Sequence, residues 1–138
     1  PGEPPWRVGI QHPHQRHRLA CVVELSDGAV ATSGAYERGL HVMDPHARRP
    51  PRGVVSVTVI GSELGTADAY ATAAFAMGQR GPAWTASLPG FHAMTILEND
   101  RLLSTPGFLR HCPGGSVGAS LDPEGLVVAP RAGFEPAT

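Results

Sequence analysis

Val54-Val55-Ser56-Val57-Thr58-Val59-Ile60, followed after a short connection by Thr66-Ala67-Asp68-Ala69-Tyr70-Ala71-Thr72-Ala73-Ala74-Phe75-Ala76-Met77, decides the fold class. The first segment alternates and is dense in β-branched residues, the strongest strand signal in the chain. The second is rich in Ala, which favours helix and allows close approach to a sheet. Thr66 is a candidate N-cap with Asp68 in the first turn. Gly78 is a natural residue to follow the helix end. A strand feeding an Ala-rich helix, set among further strands, predicts an α+β domain.

Working outward, Trp6–Ile10 reads as a short strand and His12–Arg18 as a polar, solvated loop. Leu19–Leu25 is a continuous apolar run, a buried strand. Ser26-Asp27-Gly28 is a turn signal before a second strand at Ala29–Thr32, so residues 19–32 predict a hairpin. Gly, Pro and Arg dominate from Ser33 to Gly53, with a short extended piece at Leu40–Met43. Pro82–Leu88 predicts a second short helix with Pro near its start. His92–Leu97 and Leu102–Ser104 predict a second hairpin around Glu98-Asn99-Asp100. After Phe108 the density of Pro and Gly leaves little room for regular elements, and residues 109–138 read as a loosely ordered tail. The expected fold is therefore α+β, mostly antiparallel sheet, with one main Ala-rich helix and a short second helix.

Composition removes several functions. The 11 basic residues are all Arg and face 12 acidic ones, so no basic excess marks a nucleic-acid surface. Without Lys there is no P-loop. No apolar run is long enough to span a membrane, and no secretory signal is visible. Two cysteines, Cys21 and Cys112, do not make a disulfide framework; a single bridge between them is the disfavoured alternative, since sequence gives no distance. His12, His14 and His17 lack the spacing and further ligands of a zinc site.

Three spots carry chemistry. Asp68 and Thr72 are four residues apart on a helix, so their oxygens share one face with Cβ atoms about 6 Å apart. A carboxylate and a hydroxyl are hard ligands of the kind magnesium takes alongside phosphate and water. The same spacing also suits a helix cap and a hydroxyl bonded back to its own helix. His41-Val42-Met43-Asp44-Pro45 places a His before an Asp-Pro turn, where it can act as acid, base or phosphate contact, or stand in solvent. Ala31-Thr32-Ser33-Gly34 ends a strand in small residues that permit close backbone approach of a ligand, or simply begin a turn.

These spots form an ordered set: V-G-I-x-H-P at Val8–Pro13, E-L-S-D-G-A-V-A-T-S-G at Glu24–Gly34, Y-E-R-G-L-H-V-M-D-P at Tyr36–Pro45, S-V-T-V at Ser56–Val59 and A-D-A-Y-A-T-A at Ala67–Ala73. In this order they resemble the C-terminal half of the ApbE family, over roughly Pro5 to Phe108. The resemblance implies a tunnelling-fold-related architecture and magnesium-dependent transfer of FMN from FAD onto a Thr or Ser hydroxyl of an acceptor flavoprotein. By motif match it implies Asp68 and Thr72 as metal ligands, His41 as the catalytic residue, and Val42 against FAD, with Ser33 and Gly34 lining the pocket. The family's usual Arg-Thr-Gly after Asp-Pro is replaced by His46, Ala47 and Arg48, so the loop beside the flavin is expected to be remodelled. The family's N-terminal half, with more FAD contacts and metal ligands, is expected to be missing. That predicts a crippled transferase; a non-enzymatic remnant and a hydrolase of FAD to FMN and AMP are the alternatives. The final Arg131–Thr138 resembles a translated tRNA-gene remnant.

Overall fold

The computed structural model describes residues 3–12, 18–34, 53–113, 120–129 and 135–136. In chain order the elements are β1 (Trp6–Gln11), β2 (Arg18–Leu25), β3 (Ala29–Gly34), β4 (Val54–Gly61), α1 (Leu64–Ala76), α2 (Gly81–Ala86), β5 (His92–Leu97), β6 (Leu102–Ser104), β7 (Ser120–Leu121), β8 (Val127–Ala129) and β9 (Glu135–Pro136). Short 3-10 turns precede α2 at Gly78–Arg80 and follow β6 at Pro106–His111. One sheet has the order β3-β4-β5-β6-β8-β7 and the other β1-β2-β9. Every pairing among the described residues is antiparallel. This is the α+β class that the sequence predicts.

The decisive strand β4 is buried at all eight positions. The larger sheet is covered on both faces there. On one face Val54, Val57 and Val59 meet Ala67, Ala71, Ala74 and Phe75 of α1, with Ala93 of β5. On the other, Ile60 joins Met94 and Ile96 of β5, Ile10, Ala20, Val23 and Leu25 of β1 and β2, and Phe108. The register shift between Val54 and Ser56 explains how Val54 shares the α1 face with Val57. The stack is thus helix, large sheet, small sheet.

Residues 67, 71, 74 and 75 follow the spacing of one helix face. Three of the four are Ala, so α1 lies close to the sheet and Phe75 supplies the bulk. The helix begins two residues before the expected cap: Glu63 is the N-cap, without a side-chain cap bond, and no acidic residue lies in the first turn. Thr66 is therefore not the cap, and Asp68 lies in the second turn, away from the positive end of the dipole. Packing of Ala67 onto β4 sets the start, not capping chemistry. The far end is as predicted, with Gly78 at φ +60° after the C-cap Met77.

The hairpin predicted for residues 19–32 does not form. β2 pairs with β1 and β9, whereas β3 pairs with β4 along its whole length, Ala29 opposite Gly61 to Gly34 opposite Ser56. Ser26-Asp27-Gly28 instead carries the chain from one sheet to the other. Gly28 sits at φ +115°, and a Cβ there would stand 2.7 Å from the Gly61 carbonyl oxygen, so the turn is pressed against the end of β4. The second hairpin forms as predicted: Met94, Thr95 and Ile96 face Ser104, Leu103 and Leu102, and Asp100 takes φ +67° in the turn. Beyond Phe108, where little regular structure was expected, β8 pairs with β6 and buries Val127 and Ala129. Its short Val-Val-Ala run needs a waiting sheet edge, which no local pattern reveals. His12 is fully buried at the end of β1, not solvated. Its backbone N–H donates to the Arg18 carbonyl oxygen at 3.0 Å, which draws the loop base into the core.

Two glycines test the packing. A Cβ at Gly81 would collide with the Ala74 carbonyl oxygen, although its φ of −61° suits any residue. Gly81→Ala should therefore cost about 1–3 kcal/mol by overpacking. A Cβ at Gly65, in the first turn of α1, would meet nothing within 4 Å. Gly65→Ala should gain roughly 0.5–1 kcal/mol. Urea unfolding of the two variants checks the opposite signs.

At the start of β5, His92 stacks at 5.7 Å between centroids on His111. Burial, then the charges of His111 and Arg110, hold its imidazole below the usual 6.5. The folded chain thus takes up this proton less readily than the unfolded one. Its cost is absent above the unfolded value and grows as pH falls through the folded one. The urea midpoint should drop between about pH 7 and 5, and His92→Gln should flatten that drop.

Candidate functional site

Asp68 and Thr72 directly follow the buried residues Ala67 and Ala71 in α1. Each is rotated about 100° from the packed face. That rotation brings Thr72 to the seam between α1 and the edge strand β3, with Asp68 one turn earlier on the same helix face, and both are exposed. On β3, Ala31 and Ser33 point to the α1 side, because Ala31 packs into the α1 core while Thr32 bonds Thr58 hydroxyl to hydroxyl at 2.9 Å on the other face. Ser33 consequently meets Thr72: their Oγ and Oγ1 atoms are 3.0 Å apart.

The contact joins two residues that the sequence singled out separately. It gives the Thr72 hydroxyl a partner outside its own helix. Either hydroxyl can donate. When Thr72 donates to Ser33, the lone pairs of Thr72 turn outward, toward the side that Asp68 shares one helical turn away. Gly34, the last residue of β3, offers only backbone at this strand end. His41 and Val42 lie outside the described residues, in the segment between Gly34 and Gly53.

Sequence reasoning used Ser56 only as part of the S-V-T-V motif. It pairs with Gly34 across the β3–β4 ladder, and its hydroxyl is buried with no hydrogen-bond partner among the described residues. The available signal was a serine inside a valine run, beside Thr58, whose hydroxyl bonds Thr32. No group of three or more His, Cys, Asp or Glu able to hold a metal ion exists among the described residues. Asp68 and Thr72 offer one carboxylate and one hydroxyl, four residues apart on α1. Two hard, exposed oxygens fit a magnesium ion that takes the rest of its shell from phosphate and water.

A cleft of about 360 Å³ opens elsewhere, among Gly53, Gln79, Pro82, Leu97, Glu98, Asn99 and Leu103. Its one ionisable group, Glu98, already accepts the Gly53 N–H at 3.1 Å. It contains none of the predicted site residues. No helix among the described residues is long and apolar enough to cross a membrane.

The chain is 35% identical over 114 residues to the FAD:protein FMN transferase of Rhodobacter capsulatus, covering 76% of this chain and 22% of that protein. It is 35% identical over 115 residues to the enzyme of the same name from Treponema pallidum, covering 75% and 32%. Among solved structures, the ApbE protein of Thermotoga maritima superposes with a TM-score of 0.69 at 35% identity, over 80% of this chain and 39% of that one. The flavin transferase ApbE of Vibrio cholerae gives 0.66 at 34%, over 78% and 38%. The chain therefore spans a third or less of the length of these curated relatives. The model of the ApbE family matches residues 1–95, which include β1 to β4, α1, α2 and the Ser33–Thr72 contact. Together with the shared fold, this match makes the chain a member of the ApbE family.

Proposed function

We propose that this chain contributes the metal-holding side of a magnesium-dependent FAD:protein FMN transferase, which moves FMN from FAD onto a Thr or Ser hydroxyl of an acceptor protein. The observation that carries the reading is the Ser33–Thr72 hydroxyl pair beside Asp68 at the α1–β3 seam. The relatives named FAD:protein FMN transferase support the activity.

In this reading the Asp68 carboxylate and the Thr72 hydroxyl hold Mg2+. The ion, when bound, screens the FAD diphosphate and stabilises the charge that develops during phosphoryl transfer. Ser33 accepts a hydrogen bond from the Thr72 hydroxyl, which leaves the Thr72 lone pairs facing outward. The Val42 backbone and Gly34 lie against the flavin nucleotide. His41 takes the proton of the attacking acceptor hydroxyl or contacts the phosphate. The acceptor oxygen bonds to the FMN phosphorus, the bond from that phosphorus to the bridging oxygen breaks, and AMP leaves with that oxygen.

The test incubates the chain with FAD, Mg2+ and an acceptor carrying a target Thr, and follows in-gel flavin fluorescence together with AMP release. Labelled acceptor plus AMP supports the transferase. AMP without label replaces it with hydrolysis of FAD, and neither product overturns activity in this chain.

Where label forms, Asp68→Ala should lower the rate by about 100-fold or more, as expected on losing a metal ligand. An unchanged rate in that variant sinks the metal assignment. Ser33→Ala should raise the Mg2+ concentration for half-maximal rate by about tenfold, with little change at saturating metal, and Ser33→Thr should restore it.

A further inference from the structure

Two imidazoles and a guanidinium converge where the 3-10 turn after β6 meets the start of β5. His92 opens β5. Met94 and Ile96, two and four residues on, pack into the core between the two sheets, so alternation puts His92 on that same side, away from α1. The turn is anchored by Phe108, which is fully buried in that core. Gly107 is pressed on the His92 ring: a Cβ there would collide with His92 Nδ1 and stand 3.0 Å from a guanidinium nitrogen of Arg110. His111, at the end of the turn, has its ring centroid 5.7 Å from that of His92. Its Nδ1 lies 3.2 Å from the Glu24 carbonyl oxygen. A carbonyl can only accept, so Nδ1–H donates and Nε2 is the atom left to take a further proton.

The three groups meet no compensating charge. Among the described residues none of them is paired with a carboxylate. From the turn, the charges that reach His92 are those of His111 and Arg110. From β2 comes Glu24, whose backbone oxygen accepts the His111 N–H while its carboxylate lies 3.8 Å from Arg7 Nε. His92 and His111 are half-buried and Arg110 is exposed, so the cluster is open to solvent.

We propose that His92, His111 and Arg110 form a binding site for a tetrahedral oxyanion of the phosphate-monoester class.

Such an anion supplies the charge that the cluster lacks. A guanidinium fork matches two of its oxygens, and each protonated imidazole adds an N–H donor. A metal ion fits less well. Both imidazoles would have to give it lone pairs beside the Arg110 charge, and no third His, Cys, Asp or Glu joins them among the described residues. Binding is linked to protonation. Burial, then the charges of His111 and Arg110, hold the His92 imidazole below its usual value, so it is mostly neutral near pH 7. A bound dianion offsets that repulsion, and the imidazole takes a proton from solvent as the anion arrives. Affinity therefore rises as pH falls. The cluster lies on the side of the large sheet away from α1, so anion binding there is independent of the transferase reading.

The experiment follows the imidazole Cε1–H resonances of the full chain by NMR at constant ionic strength. The probes are sulfate, a tetrahedral dianion whose charge does not change between about pH 5.5 and 7.5, and AMP, a phosphate monoester. Sulfate should raise the titration midpoints of His92 and His111 by about half a pH unit or more, further than those of the other imidazoles. Its half-saturating concentration should fall roughly tenfold from pH 7.5 to 5.5. AMP should move the same two resonances and compete with sulfate. Arg110→Gln, a change at an exposed position, should weaken sulfate binding about tenfold while both histidines still titrate. An equal response to chloride, sulfate binding unchanged in Arg110→Gln, failure of AMP to compete, or Zn2+ moving the two resonances where sulfate does not would each overturn the proposal.

Discussion

Burial of β4 on both faces is the constraint on which the rest of the structure depends. A strand of eight residues with no exposed position needs a cover on each side of its sheet. On one side the cover is α1, which the chain reaches directly from the end of β4. On the other it is the β1–β2 pair, formed from residues far earlier in the sequence. The valines of β4 gain their stability from this double enclosure, since each buried Val or Ile side chain contributes roughly 1.5–3 kcal/mol.

The α1 cover works because its packed face is small. Ala67, Ala71 and Ala74 bring the helix axis near the sheet, and Gly81 lets the following helix pass against the Ala74 carbonyl. Close approach has a functional consequence. Only a helix drawn this near the sheet leaves the Thr72 hydroxyl within hydrogen-bonding distance of Ser33 on the edge strand. The core and the site are thus linked through one helix: Ala71 packs inward and Thr72, the next residue, looks along the seam. A larger side chain at Ala71 would be expected to disturb both.

The seam joins the Ser33 and Thr72 hydroxyls, with the exposed Asp68 carboxylate one helical turn away. It is also the part of the molecule that lies within the family match, and the chain spans a third or less of the curated relatives described above.

Much of this was legible in the residues themselves. The alternation at 54–60, the Ala-rich helix ending at Gly78 and the hairpin around Asp100 are local patterns, set by side-chain period and by turn geometry, and they survive folding. The spacing of Asp68 and Thr72 likewise determined that they share a helix face, and the ordered motifs pointed to the family. Tertiary structure decided what depends on distant partners. Ser26-Asp27-Gly28 fits a hairpin or a change of sheet equally well, and the pairing of β3 with β4 selected the second. The helix start moved to Leu64 because packing, not a cap, fixes it. His12 is polar in the sequence and buried in the fold. The meeting of Ser33 with Thr72 exists only once a separate strand and helix pack together, because hydrogen bonds between distant residues leave no periodic trace in the chain.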